Sequence, residues 1–330
     1  MFDSTKATKK SRRRALLCIA LKRKKSWDDE GVAATVGTIL SLMVFLTFLG
    51  MFTNQYVPVW MKENENNHMN TVIGQLSSLK AGVDMQILTT QSSNLASAPL
   101  YTPVQLEAAG IPVFASPTAG QLALTIESKG YPSSSLVYNY TVGTGASMKY
   151  YQLNGSNGGK TGGSLEFKGE NRYYVQQVIS YENGAIVLNQ TKGEIILSGI
   201  SVRIVNYSDS IMMSVTQISL TGLNKTVGGF GTKGVSTSLQ FASYQKYVNA
   251  SKATMSMTII TKYGTAWQKY FTDLRSLSNT GIPISNWNIR MSSFVVDTQT
   301  YYTVIMSITG INSLEYTKAS VSMTMADIGI

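Results

Sequence analysis

The sequence predicts a long N-terminal α-helix, a single transmembrane span continued as a stalk, followed by a mostly antiparallel, β-sandwich-like extracellular domain with one short helix. Three observations carry this. Val32–Phe52 runs 21 residues without a charge, apolar residues then recur at helical spacing as far as Ile87, and from about Leu122 the apolar pattern alternates with period two. The divisions that follow are a basic cytoplasmic leader at 1–31, the span at 32–54, an amphipathic helical stalk at 55–92 and a β-rich body at 93–330.

A helix of the length of Val32–Phe52 covers about 31 Å, close to the hydrocarbon thickness of a bilayer. Ten Lys or Arg residues precede it against four acids, so the first 31 residues carry +6 of the chain's +10. A basic flank of this kind is retained in the cytoplasm, which puts the N-terminus inside and the chain beyond about residue 55 outside. Tyr56 and Trp60 suit the outer headgroup level. The cations Arg12–Lys25 read as a topology signal with affinity for anionic lipid, not as a nucleic-acid site. A cleaved signal peptide is the poorer reading, because the apolar run is long and ends in Phe48, Leu49, Met51 and Phe52 with no small-residue cleavage site. Ala15–Leu21 is too short to span.

The junction reads Trp27-Asp-Asp-Glu30-Gly31-Val32-Ala-Ala-Thr35-Val36-Gly37-Thr-Ile39-Leu40. It resembles the N-terminus of archaeal type IV pilins and pilin-like surface proteins, in which a short charged stretch precedes a G/A-V-S-P-V-I-G-x-I-L block and an apolar helix. Gly31, Val32, Val36, Gly37, Ile39 and Leu40 fit that block, whereas Ala33-Ala34-Thr35 departs from its Ser-Pro pair. The resemblance implies cutting near Glu30–Gly31 by a prepilin peptidase, and assembly with sister pilin subunits through the apolar helix. The fifth-position Glu of bacterial pilins is absent, Val36 standing there if Gly31 precedes the cut. Tyr181-Glu-Asn-Gly184-Ala185-Ile186 is similar to a segment of larger archaeal pilin-like proteins.

In the stalk, Met69, Val72, Ile73, Leu76, Leu79, Val83 and Ile87 share one helical face, so the helix needs a partner: its own body or neighbouring copies. Pro58 predicts a kink or break. His68, the chain's one histidine, reads as solvated.

In the body, strands are predicted at 122–126, 136–142, 173–179, 200–205, 211–220, 253–261, 289–296, 302–308 and 320–325, rich in β-branched and aromatic residues. Few helices intervene, which favours an antiparallel body over α/β, taken as one continuous body and not two lobes joined near Gly222–Gly234. One helix interrupts it, with Trp267, Tyr270, Phe271, Leu274 and Leu277 as a core stripe and Thr265 with Gln268 as a capping box.

The chemistry is sparse. Cys18, in the leader, is the one cysteine, so the body folds without a disulfide. The sequence offers no metal site, cofactor site or nucleophile–imidazole pair, and no enzyme is predicted. Gly155–Thr161 mimics a phosphate loop, but Asn154 stands where the first Gly is needed and no helix follows. Gly229–Gly234 matches G-x-G-x-x-G but leads into a strand-like run. Glu127, Glu166, Glu170, Glu182, Glu194, Asp209, Asp273 and Asp297 are the acids that a fold could pair for glycosidase chemistry. Six sequons, at Asn139, Asn154, Asn189, Asn206, Asn224 and Asn249, are compatible with N-glycosylation outside the cell. The expectation is a pilin-like cell-surface protein with a structural or adhesive role, its partners the bilayer and sister subunits. The alternative is a membrane-anchored module that binds a surface glycan or protein ligand.

Overall fold

The structure, a computed structural model, describes residues 31–93, 97–143, 145–154, 159–207, 210–277 and 282–327. The leader with Cys18 and Glu30 therefore lies outside the described residues, as do Asp209 and Gly155–Gly158 of the phosphate-loop mimic. The chain comprises a long N-terminal apolar helix, α1 (Gly31–Ser93), and a mostly antiparallel β-domain with one short helix. It divides into two compact units at Trp60/Met61.

In the first unit, α1 is helical from Gly31 and passes Pro58 without a break. Proline has no N–H for the preceding turn and crowds its carbonyl. The backbone meets this by widening into a π-turn at Phe52–Tyr56, where the Val57 N–H donates to the Phe52 carbonyl. Thr53 and Asn54 donate to the Leu49 and Gly50 carbonyls in the same stretch.

The described residues of the second unit carry fourteen strands: β1 (Leu100–Gln105), β2 (Gly120–Ile126), β3 (Ser133–Val142), β4 (Lys149–Leu153), β5 (Lys160–Gly169), β6 (Gln177–Glu182), β7 (Ala185–Gln190), β8 (Gly193–Ser198), β9 (Val202–Tyr207), β10 (Ser210–Gly222), β11 (Lys225–Gly229), β12 (Thr232–Thr261), β13 (Trp287–Val296) and β14 (Gln299–Asp327). Helix α2 (Gly264–Leu277) lies between β12 and β13. The sheet order is β8-β7-β6-β5-β3-β12-β14-β10-β9, with β1, β2, β4, β11 and β13 pairing beside that path. Among the described residues every strand pairing is antiparallel except β10 with β14.

Two apolar cores lie against the long strands β10, β12 and β14. In β14, Leu314 and Tyr316 join one core, while Ala319, Val321, Met323 and Met325 join the other. In β10 the same change falls between Val215 and Ile218. The two strands stay in unbroken register through the change, Val215 opposite Tyr316 and Ile218 opposite Ala319. Successive strand residues point to opposite faces, so a change of parity means the cores occupy opposite faces of one shared ribbon. At the crossover both faces are covered, and the buried Gln217 donates to Ser134 and accepts from Tyr316.

The predicted stalk face is the spine of the first core. Met69, Val72, Leu76, Leu79, Val83 and Ile87 are buried against β-strand residues such as Leu122, Phe167 and Leu220. The partner of this helix is its own body. Strand β5 approaches so closely that a Cβ at Gly169 would lie 2.7 Å from the Met69 sulfur. His68 is buried as well, 6 % exposed, against the expectation of a solvated ring. Its Nε2–H donates to the Gln105 carbonyl at 2.9 Å and its edge meets Phe167. The second core takes α2, with Trp267 and Phe271 fully buried, as the aromatic stripe predicts. The helix opens at Gly264, so Thr265 sits inside its first turn and does not cap it. The Thr261 hydroxyl instead accepts the Tyr263 N–H ahead of the helix.

Residues 173–176 are predicted strand and are not. The amides of Tyr173 and Tyr174 are taken by a carboxylate, as described below. No linker separates two lobes at Gly222–Gly234, which β11, a turn and the start of β12 occupy.

Candidate functional site

The strongest functional feature is the apolar face of α1 between Val32 and Phe48. No residue in the apolar window of this helix is buried. Val44 and Phe48 are 68 % and 66 % exposed. The threonine side chains in this stretch turn inward on the helix: Thr35 donates to Gly31 and Val32, Thr38 to Thr35, and Thr47 to Met43. A hydroxyl bonded to its own helix needs no water, which is what a lipid environment demands. By length and composition α1 is compatible with a single-pass membrane anchor. Phe52, Tyr56 and Trp60 form an aromatic cluster at the end of the span, with Phe52 stacked 5.9 Å from Tyr56 and edge-on at 5.6 Å to Trp60.

The first turns of α1 within the β-domain carry a polar clasp. Glu65 is fully buried, and its carboxylate accepts four hydrogen bonds. Oε1 takes the Thr118 hydroxyl at 2.7 Å and the Arg172 N–H at 2.9 Å, while Oε2 takes the Tyr173 and Tyr174 N–H groups at 2.8 and 2.6 Å. Asn64 donates to the Ala109 carbonyl beside it. Two loops, 106–119 and 170–176, are thereby tied to one turn of helix.

A second cluster collects acids from the middle of the fold. Asn183-Gly184 turns the β6–β7 hairpin with positive φ at both residues, the conformation that a two-residue turn of this type requires. Glu182, at the end of β6, is buried beneath α2, where it accepts the Thr261 hydroxyl at 2.7 Å and the Trp267 indole N–H at 2.6 Å. Burial pushes its carboxyl up to about 7, against the lowering effect of those two donors. Glu166, on the neighbouring strand β5, pairs with Lys262 at 3.0 Å and accepts the Tyr263 hydroxyl at 2.9 Å. Desolvation drives the Tyr263 phenol far above its ordinary value.

The fold thus brings together Glu166 and Glu182 of the eight acids read from the sequence. They do not share a cavity. Glu166, Lys262 and Tyr263 line an open cleft of about 320 Å³, whereas Glu182 lines a hollow of about 10 Å³. Each carboxylate is held by partners from the Thr261–Trp267 segment, which fixes the start of α2. Glu170 forms an exposed ion pair with Lys168, and Asp273 pairs with Lys269 along α2. No cluster of metal-ligating residues occurs among the described residues.

An aromatic group runs along β3, β4 and β12: Tyr140 stacks 5.5 Å from Tyr151 and 5.8 Å from the buried Tyr138, and meets Tyr247 at 4.9 Å. Tyr150 beside it is 82 % exposed. Of the sequon residues, Asn139, Asn206 and Asn224 are exposed, Asn154 and Asn189 are half-buried, and Asn249 is buried. The Asn249 side-chain carbonyl accepts both the N–H and the hydroxyl of Thr141. The phosphate-loop mimic continues into strand β5 and the G-x-G-x-x-G run joins β11 to β12, so neither precedes a helix.

Sequence reasoning missed the Glu65 clasp and the Glu182 network. The Asn183-Gly184 pair between apolar runs was the available signal for the hairpin that presents Glu182. Glu65 lies in the polar run Lys62–Asn67 and carries no pattern of its own. The chain matches no family model, no curated protein and no solved structure.

Proposed function

We propose that this is a pilin-like cell-surface protein, held in the membrane or assembled with sister copies through the N-terminal part of α1, and displaying its β-domain outside the cell. One observation carries the reading: a single helix is bare and apolar over its first turns and forms the core of the β-domain over its later ones. Bare apolar helix surface of this extent is stable in lipid or against other helices, not in water. The basic leader supports an N-inside orientation, and the Glu30–Gly31 junction supports processing by a prepilin peptidase. Glycans at exposed sequons such as Asn206 and Asn224 would lie on a sparsely charged surface.

The test is N-terminal mass analysis of the mature membrane protein, with external protease on intact cells. The reading expects a start near Gly31 for a processed pilin-like chain, membrane recovery, and cleavage beyond Trp60 from outside. Recovery in the aqueous fraction, with residues beyond 60 shielded from protease, would overturn it.

A second reading, ligand capture by the β-domain, is favoured by the Tyr140–Tyr151 stack with its exposed Tyr151 ring, since flat rings on a sheet suit a sugar face. Loss of glycan-array binding in Tyr140→Ala and Tyr151→Ala would support it, and no binding by the parent chain would dismiss it.

A further inference from the structure

The loop Gly110–Pro117 is built against ordinary surface rules. Its sequence, Gly-Ile-Pro-Val-Phe-Ala-Ser-Pro, holds no charge. Val113 at its tip has φ +72°, a conformation that a β-branched residue adopts only under strain, and its side chain is 100 % exposed. Phe114 is 42 % exposed next to it. Glycine or asparagine would hold this turn without strain, and a polar residue would suit water better. Here the backbone is strained to hold an apolar group in the open, which points to something that covers that group.

The loop is also rigid. Ile111 and Ala115 exchange backbone hydrogen bonds at 2.9 Å, and Phe114 N–H returns to the Ile111 carbonyl. Its base is fastened to α1 through Asn64 to Ala109 and Glu65 to Thr118. The same clasp holds residues 172–174, so the exposed Tyr173 and Val175 lie on the other loop bound to this turn. Arg172 reaches across from that loop to Ser116 through a guanidinium hydrogen bond. An apolar tip, an aromatic ring and a cation are the groups that settle at a lipid interface. They gather at the turn of the β-domain that lies closest along the chain to the span: Asn64 follows Trp60 by four residues.

We propose that this loop is a membrane-seating tip, which inserts Val113 and Phe114 into the headgroup–acyl boundary of the same bilayer that holds α1. The proposal rests on the membrane-anchor reading. The occupant is lipid because the loop is fastened to Asn64 and Glu65, a few residues after the aromatic end of the apolar span, and carries beside it a cation, Arg172, suited to anionic headgroups. The loop is already ordered, so insertion carries little conformational cost.

The test uses the full chain in a Cys18→Ser background, with Val113→Cys labelled by an environment-sensitive fluorophore. The protein is reconstituted in phosphatidylcholine vesicles containing phosphatidylglycerol, with or without lipid bearing a nitroxide near the headgroup end of its acyl chain. Leu223→Cys, at an exposed site in the β10–β11 turn, is the control. Blue-shifted emission from position 113, quenched roughly twofold or more by the nitroxide lipid while position 223 stays unquenched, supports the tip. A label at Phe114→Cys repeats the measurement should the first variant fold poorly. Co-flotation of the chain with vesicles but aqueous emission at 113 overturns the tip alone. A blue shift that depends on protein concentration and ignores the nitroxide assigns the patch to a second copy and overturns it too. Failure of the chain to float with vesicles overturns the anchor reading and the tip together.

Discussion

Replacing Glu65 with alanine tests how the β-domain holds its helix. The side chain is fully buried and satisfies three backbone N–H groups and one hydroxyl from two loops. At about 1 kcal/mol for each donor left without its carboxylate, the loss is about 4 kcal/mol. That is a large share of the roughly 5–15 kcal/mol by which domains are stable. Glu65→Gln should cost about half as much, because the amide keeps one acceptor and the Thr118 hydroxyl can turn to accept from the new NH₂. The assay is urea unfolding of the full chain in detergent, followed by the fluorescence of the buried Trp267 and Trp287. Hydrogen exchange at the Tyr173 and Tyr174 amides provides a local readout and should accelerate in both variants. A Glu65→Ala protein within about 1 kcal/mol of the parent, with those amides still protected, would refute the clasp as a stabilising element.

Other outcomes are equally definite. Glu182 has its carboxyl raised to about 7, so the folded protein retains a proton that the unfolded chain has released. Stability should therefore fall as pH rises from the ordinary carboxylate range to about 7, by about 3 kcal/mol in all, and Glu182→Gln should flatten that slope in pH-dependent melts. His68 works in the opposite sense: burial lowers its pKa, so its contribution is lost as pH falls below the free-imidazole value, and His68→Gln should remove that acid-side loss. Leu76→Ala, in the buried part of α1, should cost about 2–5 kcal/mol in detergent, whereas Leu42→Ala on the bare part should leave the β-domain melt unchanged. Val113→Asn should stabilise the domain by about 1 kcal/mol in detergent by relieving the positive φ, read as a raised urea midpoint.

Much of this architecture is legible in the residues. The uncharged run at Val32–Phe52 and the face from Met69 to Ile87 specify α1, because a helix must repeat its apolar positions at 3.6. Alternation specifies strands where one face is wet, as in β3 with its buried Leu136 and Tyr138. It fails where both faces are covered: β5 and β7 are buried nearly throughout, and so read as neither pattern. The segments at 302–308 and 320–325 read as separate strands because the change of buried face inside β14 interrupts their parity. Residues 173–176 have strand composition, yet a glutamate more than a hundred positions away takes the amides of Tyr173 and Tyr174. The Glu65 clasp and the Glu182 network are invisible for that reason: they are made by tertiary partners, which local periodicity does not encode.

The reversal of face along β10 and β14 bears on how this chain tolerates change in length. One residue inserted near Thr317 would turn every downstream side chain of β14 over, expelling Val321 and Met323 into solvent while the upstream half kept its packing. Growth and trimming are therefore confined to places where the ladder already slips, such as the irregularity between Leu239 and Phe241. The two halves of the β-domain are bound to inherit their lengths together.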